Sequence, residues 1–129
     1  MKQRMTSKEY LQSLNPKKKK NHQSHTPGKM NQTEEKWSWE LEIEKRAGII
    51  DDWLFEPIRL KLADRCTYTP DFMVAVYERG IAFHEIKGGG PIRDDAIVKF
   101  KMAREKYWYF DFHMYQLKDG IWTEKYKEK

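Results

Sequence analysis

The segment "YTPDFMVAVYERGIAFHEIKGGG", residues 68–90, constrains the fold more than any other stretch of this chain. Two runs rich in β-branched and aromatic residues flank Arg79 and Gly80, which predicts a strand, a tight turn, and a second strand paired back on the first as a hairpin. Asp71, Glu85 and Lys87 stand inside these runs. Side chains alternate along a strand, so Glu85 and Lys87 share a face with Phe83, while His84 and Ile86 point the other way. A hairpin turning near Gly80 brings Asp71 beside them. Two carboxylates held within a few ångströms resist ionising together unless a cation lies between them. Mg²⁺ suits that place, since it takes oxygen ligands and is commonly held by one or two carboxylates plus a substrate phosphate. Lys87 then balances the local charge and can hold an attacking water or stabilise charge building on a phosphorus centre. The plainer alternative is a cross-strand ion pair on a sheet face open to water. The apolar residues around the triad argue instead for a covered sheet, where charge is costly unless it has a task.

The rest of the chain supplies helices and further strands for this hairpin to pack on. Thr33 is a suitable N-cap, and "EEKWSWELEIEKRAG" favours a helix over residues 34–47 with Gly48 as its stop. "FEPIRLKLA" alternates apolar and polar positions, which predicts a single strand before the hairpin. After the glycine run, Pro91, Asp94 and Asp95 mark a helix start, and Ile92, Ala96, Phe100, Ala103 and Tyr107 form a stripe along one face. "YFDFHMYQL" and "IWTEKY" predict two last strands around a Lys118, Asp119, Gly120 turn. The expected order is α-β-β-β-α-β-β, an α/β or α+β domain with a mixed sheet of four to five strands flanked by helices.

Charge divides the chain in two. Residues 1–30 hold eight Lys or Arg against the single Glu9, whereas the remainder holds 17 basic and 19 acidic residues. Residues 1–30 are therefore expected to be a flexible basic arm, with Lys17, Lys18, Lys19 and Lys20 attracting a polyanion such as DNA without regard to its sequence, and residues 31–129 the folded domain. A solubilising tail or a nuclear-localisation-like run is the plainer use of such lysines. His22 and His25 have metal-like spacing but sit in this polar arm. No apolar run approaches the roughly 20 residues of a membrane span, and the N-terminus lacks the apolar centre of a signal peptide. Cys66 is the single cysteine, so no intrachain disulfide or thiolate zinc cluster can form, and its expected place is a small buried apolar position. A cytoplasmic setting without a membrane partner is expected.

Pro70 and Asp71, thirteen intervening residues, then Glu85, Ile86 and Lys87 reproduce the signature of the PD-(D/E)xK nuclease superfamily. The chain resembles that superfamily in element order too, over residues 33 to about 116, which implies a restriction-endonuclease-like core. The wider run "MNQTEEKW … RAGIIDDWLFEPIRLKLAD … YTPDF … FHEIKGG … RDDAIVKFKMA" is similar to small phage-encoded nucleases related to Holliday-junction resolvases and endonuclease I. The resemblance implies a Mg²⁺-dependent DNA endonuclease, with Mn²⁺ as a substitute metal, acting on branched or double-stranded DNA in the host cytoplasm. It makes Asp71 and Glu85 metal ligands, adds the Ile86 carbonyl as a third oxygen, and makes Lys87 the catalytic lysine. A glutamate from the first helix often joins them; Glu34 is favoured because Trp37 and Leu41 share its face, with Glu35 and Glu40 as alternatives. Lys99 and Lys101 are candidates for the cationic position on the helix after the motif, and Arg93 and Arg104 join them in holding flanking phosphates. "GGGP" is read as letting a DNA backbone approach closely. Junction cutting needs two active sites, so a homodimer is expected, and Trp37, Trp39, Trp53, Trp108 and Trp122 are candidates for its interface or for the core. The contrasting expectation is a non-catalytic DNA-binding or packaging accessory that uses only the basic arm.

Overall fold

The structure is a computed structural model and describes residues 27–128, so Lys17, Lys18, Lys19, Lys20, His22, His25 and most of the basic arm lie outside the described residues. Helix α1 (Gln32–Arg46) begins two residues earlier than Thr33 as cap would place it. Asn31 is the cap instead, because a reciprocal box forms: its side chain accepts from the Glu34 N–H at 2.8 Å, while Glu34 Oε1 accepts from the Asn31 N–H at 2.9 Å. Glu34 and Glu35 lie in the first turn and Lys45 and Arg46 in the last, matching the helix dipole, and Gly48 adopts φ +79 just past the end.

Seven strands follow, with one helix among them: β1 (Asp52–Phe55), β2 (Leu60–Ala63), β3 (Cys66–Tyr68), β4 (Phe72–Val76), β5 (Gly80–Lys87), α2 (Asp94–Lys106), β6 (Asp111–Lys118) and β7 (Ile121–Lys125). Five strands form one sheet in the order β1-β4-β5-β6-β7. All neighbours are antiparallel except β5 and β6, which α2 joins by a parallel crossover. The domain is thus α+β with a mixed five-stranded sheet. Turns fall where the glycines predict them: Arg79 N–H bonds to the Val76 carbonyl ahead of Gly80, and Asp119 and Gly120 both take positive φ between β6 and β7.

One expectation fails: five strands, not three, precede α2. The run 55–63 is no single strand, and neither is 67–78. Pro57 and Pro70 interrupt them, and Glu56 at φ +46 turns the chain off the sheet. Between these breaks β2 and β3 pair only with each other, forming a two-stranded ribbon that stands apart from the sheet.

Each sheet face has its own core. On one, Phe83, Phe112 and Met114 meet Phe100 and Ala103 of α2, with Leu60, Leu62 and Tyr68 closing in from the ribbon. On the other, Phe72, Val74 and Ile86 pack against Trp37 and Leu41 of α1 and against Ile50. Burying each such large apolar side chain contributes about 1.5–3 kcal/mol. The α2 stripe is as expected at Phe100 and Ala103, with Ile92 and Tyr107 packed at its ends. Cys66 is half-buried beside the same core. Trp37, Trp53 and Trp122 belong to the core on the α1 side, whereas Trp39 and Trp108 are exposed. No helix among the described residues is long and apolar enough to cross a membrane.

Candidate active site

The β4–β5 ladder ends at the pair Phe72 and His84, so Asp71 and Glu85 are the next residues outward, side by side where the strands open. Asp71 replaces the missing ladder bond with its side chain: the Ile86 N–H donates to Asp71 Oδ2 at 2.8 Å. Its backbone carbonyl accepts from the Glu56 N–H at 2.8 Å. Alternation then assigns the faces as the sequence predicts. Glu85 and Lys87 lie with Phe83 on the ribbon side, where Lys87 Nζ and Glu85 Oε2 form an ion pair at 3.2 Å. His84 points to α1 and accepts a hydrogen bond from Trp37 Nε1 at 3.0 Å.

The first turn of α1 ends beside this group and turns Glu34 inward, while Glu35 and Glu40 are exposed. Glu34, Asp71 and Glu85 are buried, and Lys87 is partly covered. All four line one open cleft of about 920 Å³. Burial pushes the Asp71 carboxyl well above the usual range, and the nearby Glu85 and Glu34 carboxylates push it the same way, against the Ile86 hydrogen bond and Lys87. Burial opposes the charge on Lys87, but Glu85 and Asp71 outweigh it and its ammonium is held more tightly than usual.

Tyr68 was not anticipated. From the ribbon its hydroxyl donates to Glu85 Oε1 at 2.6 Å, and burial, followed by the Glu85 and Asp71 charges, raises its pKa well above the usual phenol value. A clue was present in the sequence, since a buried tyrosine needs a partner for its hydroxyl and this one lies three residues before Asp71. Arg59 was missed as well and lines the cleft beside Pro57 and Ile58.

The other candidates divide. Arg93 and Lys99 line the cleft, and Lys99 Nζ also reaches the Thr67 carbonyl at 3.3 Å. Lys101 lies elsewhere, over the Tyr126 ring at 5.2 Å, and Arg104 is engaged by the Tyr126 carbonyl and Glu128. The glycine loop has a use inside the protein: Gln116 Nε2 donates to the Gly88 and Gly90 carbonyls, both at 2.8 Å, and a Cβ on Gly89 would sit 3.2 Å from the Leu117 carbonyl oxygen.

The donor set is all oxygen, from carboxylates and the Ile86 carbonyl, which fits a hard divalent cation such as Mg²⁺. As they stand, however, no three His, Cys, Asp or Glu side chains among the described residues are drawn together in metal-holding geometry. Both Glu85 oxygens are already engaged, by Tyr68 and Lys87. Each oxygen accepts from one partner and keeps a second lone pair, so these contacts orient Glu85 without closing it to a cation. No protein-family model matches this chain, and no curated protein or solved structure is significantly similar to it.

Proposed function

We propose that this chain is a divalent-metal-dependent endonuclease of the PD-(D/E)xK type, with a restriction-endonuclease-like core, that hydrolyses phosphodiester bonds in branched or double-stranded DNA. The supporting observation is the burial of Asp71 beside Glu85 and Glu34, with Lys87 paired to Glu85, in one open cleft. Burial and the neighbouring Glu85 and Glu34 carboxylates disfavour charge on Asp71, an arrangement that costs stability and suits a cation-binding task.

Asp71, Glu85 and the Ile86 carbonyl would hold Mg²⁺ or Mn²⁺, which when bound polarises a phosphate and lowers the pKa of a water. The Lys87 ammonium has donors beyond its pair with Glu85 and would use them to orient the attacking water and offset charge on the phosphate oxygens. Glu34 adds the helix carboxylate. Arg93 and Lys99 hold flanking phosphates and set the position of the strand without reading its sequence. In-line attack leaves 5′-phosphate and 3′-hydroxyl ends. Junction cutting would use two copies of the chain.

The test is nicking of supercoiled plasmid and of labelled four-way, duplex and single-stranded DNAs, with and without Mg²⁺. Asp71→Ala and Lys87→Ala should each lower the rate by at least about a hundredfold while DNA retention and far-ultraviolet circular dichroism stay unchanged. An Asp71→Ala protein that cuts at the wild-type rate ends the proposal. One observation favours the second function, a non-catalytic DNA-binding or packaging accessory: both Glu85 oxygens are satisfied without any metal. For such a protein DNA binding depends on salt and ignores chelator, and no cleavage appears with any metal.

A further inference from the structure

We infer that the β2–β3 ribbon is a duplex-reading arm that enters the major groove of B-form DNA beside the cleft. This rests on the proposed function only in taking DNA as the partner. The ribbon is an insertion between two strands that pair with each other, β1 and β4, and it adds nothing to the sheet's hydrogen bonding. Its alternation makes it two-sided. Leu60, Leu62 and Tyr68 face the core, and Arg59, Lys61, Arg65 and Thr67 are exposed. Residues 58–69 carry three basic side chains against the single Asp64.

The ribbon is tied to α2 and the residue that follows it. Just past α2, Tyr107 Oη donates to the Lys61 carbonyl at 2.7 Å, and from α2 Lys106 Nζ and Lys99 Nζ reach the Leu62 and Thr67 carbonyls at 3.3 Å. Those lysines add positive charge along its flank. At its base, Arg59 and Thr69 line the cleft, and Tyr68 touches Glu85, so a duplex engaged by the outer face lies next to the acidic group. A two-stranded ribbon, with strands about 4.8 Å apart, fits the roughly 12 Å major groove of B-DNA. The A-form RNA groove is too deep and narrow to admit side chains, and a single strand offers no groove.

Fluorescence anisotropy on the full chain in EDTA separates binding from catalysis. The probes are a labelled DNA duplex, its single strand, and an RNA duplex of the same sequence. Replacing Arg59, Lys61 and Arg65 together by Ser should weaken DNA-duplex binding about tenfold or more and lower the salt slope by about three. The other two probes should weaken by less than about threefold. Arg65 sits at φ +57, so Arg65→Gly removes one ribbon charge while easing the backbone, and it should shift duplex binding in the same direction with no loss of melting temperature. Unchanged duplex affinity in the triple variant, equal losses on all three probes, or a wild-type chain that ignores the DNA duplex overturns the inference. A wild-type protein that binds duplex through the ribbon but cuts nothing defeats the nuclease proposal alone. Metal-dependent cutting with a silent triple variant defeats the ribbon alone.

Discussion

His84 and Glu85 follow one another on β5 and are equally buried, each 9% exposed, yet they face opposite sides of the sheet and are stabilised in opposite ways. The His84 ring accepts from Trp37 Nε1 and packs edge-on against Tyr115 and His113, while His113 pairs with Glu124 at 2.8 Å. Burial, and then His113, lower the His84 pKa to about 3, so this side buries its polar group neutral and with its hydrogen bond made. Across the sheet, Glu85 stands among Asp71, Glu34, Lys87 and Tyr68, where burial opposes the charge that the groups carry. The difference separates a polar group buried neutral from a cluster in which burial and like charges work against ionisation, the contrast on which the nuclease proposal depends.

The largest effect expected on this comparison lies on the stable side. Trp37→Ala removes a buried ring that stacks on Tyr115 and deprives His84 of its donor, and should lower unfolding free energy by about 3–5 kcal/mol in urea titration. A loss under about 1 kcal/mol would show that α1 does not anchor that face.

Next come two pH dependences of opposite sign. His84 has a folded pKa below its unfolded value of 6.5, so its contribution is complete above pH 6.5 and is lost as pH falls toward about 3. The protein should lose stability across that window by a few kcal/mol, and His84→Gln, which keeps an acceptor for Trp37, should flatten the slope. Asp71 behaves inversely. Its folded pKa is raised above 3.8, so its contribution is present below pH 3.8 and is lost as pH rises through the folded value. In metal-free buffer Asp71→Asn should therefore be more stable than wild type at pH 7.5, by about 1–2 kcal/mol, with the difference shrinking toward pH 4. A destabilised Asn variant at pH 7.5 would place Asp71 with His84 as a structural residue.

Much of this contrast could be read from the chain itself. Alternation along one strand assigned Glu85 and Lys87 to one face and His84 and Ile86 to the other, and the Arg79-Gly80 and Asp119-Gly120 turns set both hairpins, because these depend on neighbours in sequence. The ribbon was hidden because Leu60, Lys61 and Leu62 alternate whichever strand they pair with, and partner choice is a long-range matter. Pro57 and Pro70 held the signal, since neither continues a ladder. The contacts of Tyr68, and the removal of Lys101 from the cleft to the ring of Tyr126, depend on how distant elements dock and leave no periodic trace.

The smallest expected change in stability tests whether the two sides differ in purpose. Tyr68→Phe removes one hydroxyl and leaves Glu85 Oε1 without that donor, while Lys87 remains on Oε2. The loss in stability should be about 1 kcal/mol, no more than for Trp37→Phe, which takes a comparable hydrogen bond from His84. Activity should separate the pair. Holding a carboxylate that holds a metal is an orienting task, and losing such a partner typically costs about 10–100-fold in metal affinity or rate. Tyr68→Phe should therefore need more Mg²⁺ for half-maximal cutting, whereas Trp37→Phe should cut with an unchanged Mg²⁺ requirement. Equal Mg²⁺ titrations for the two variants would mean that the hydroxyl merely satisfies Glu85 as Trp37 satisfies His84, and the two faces of β5 would then differ in charge but not in function.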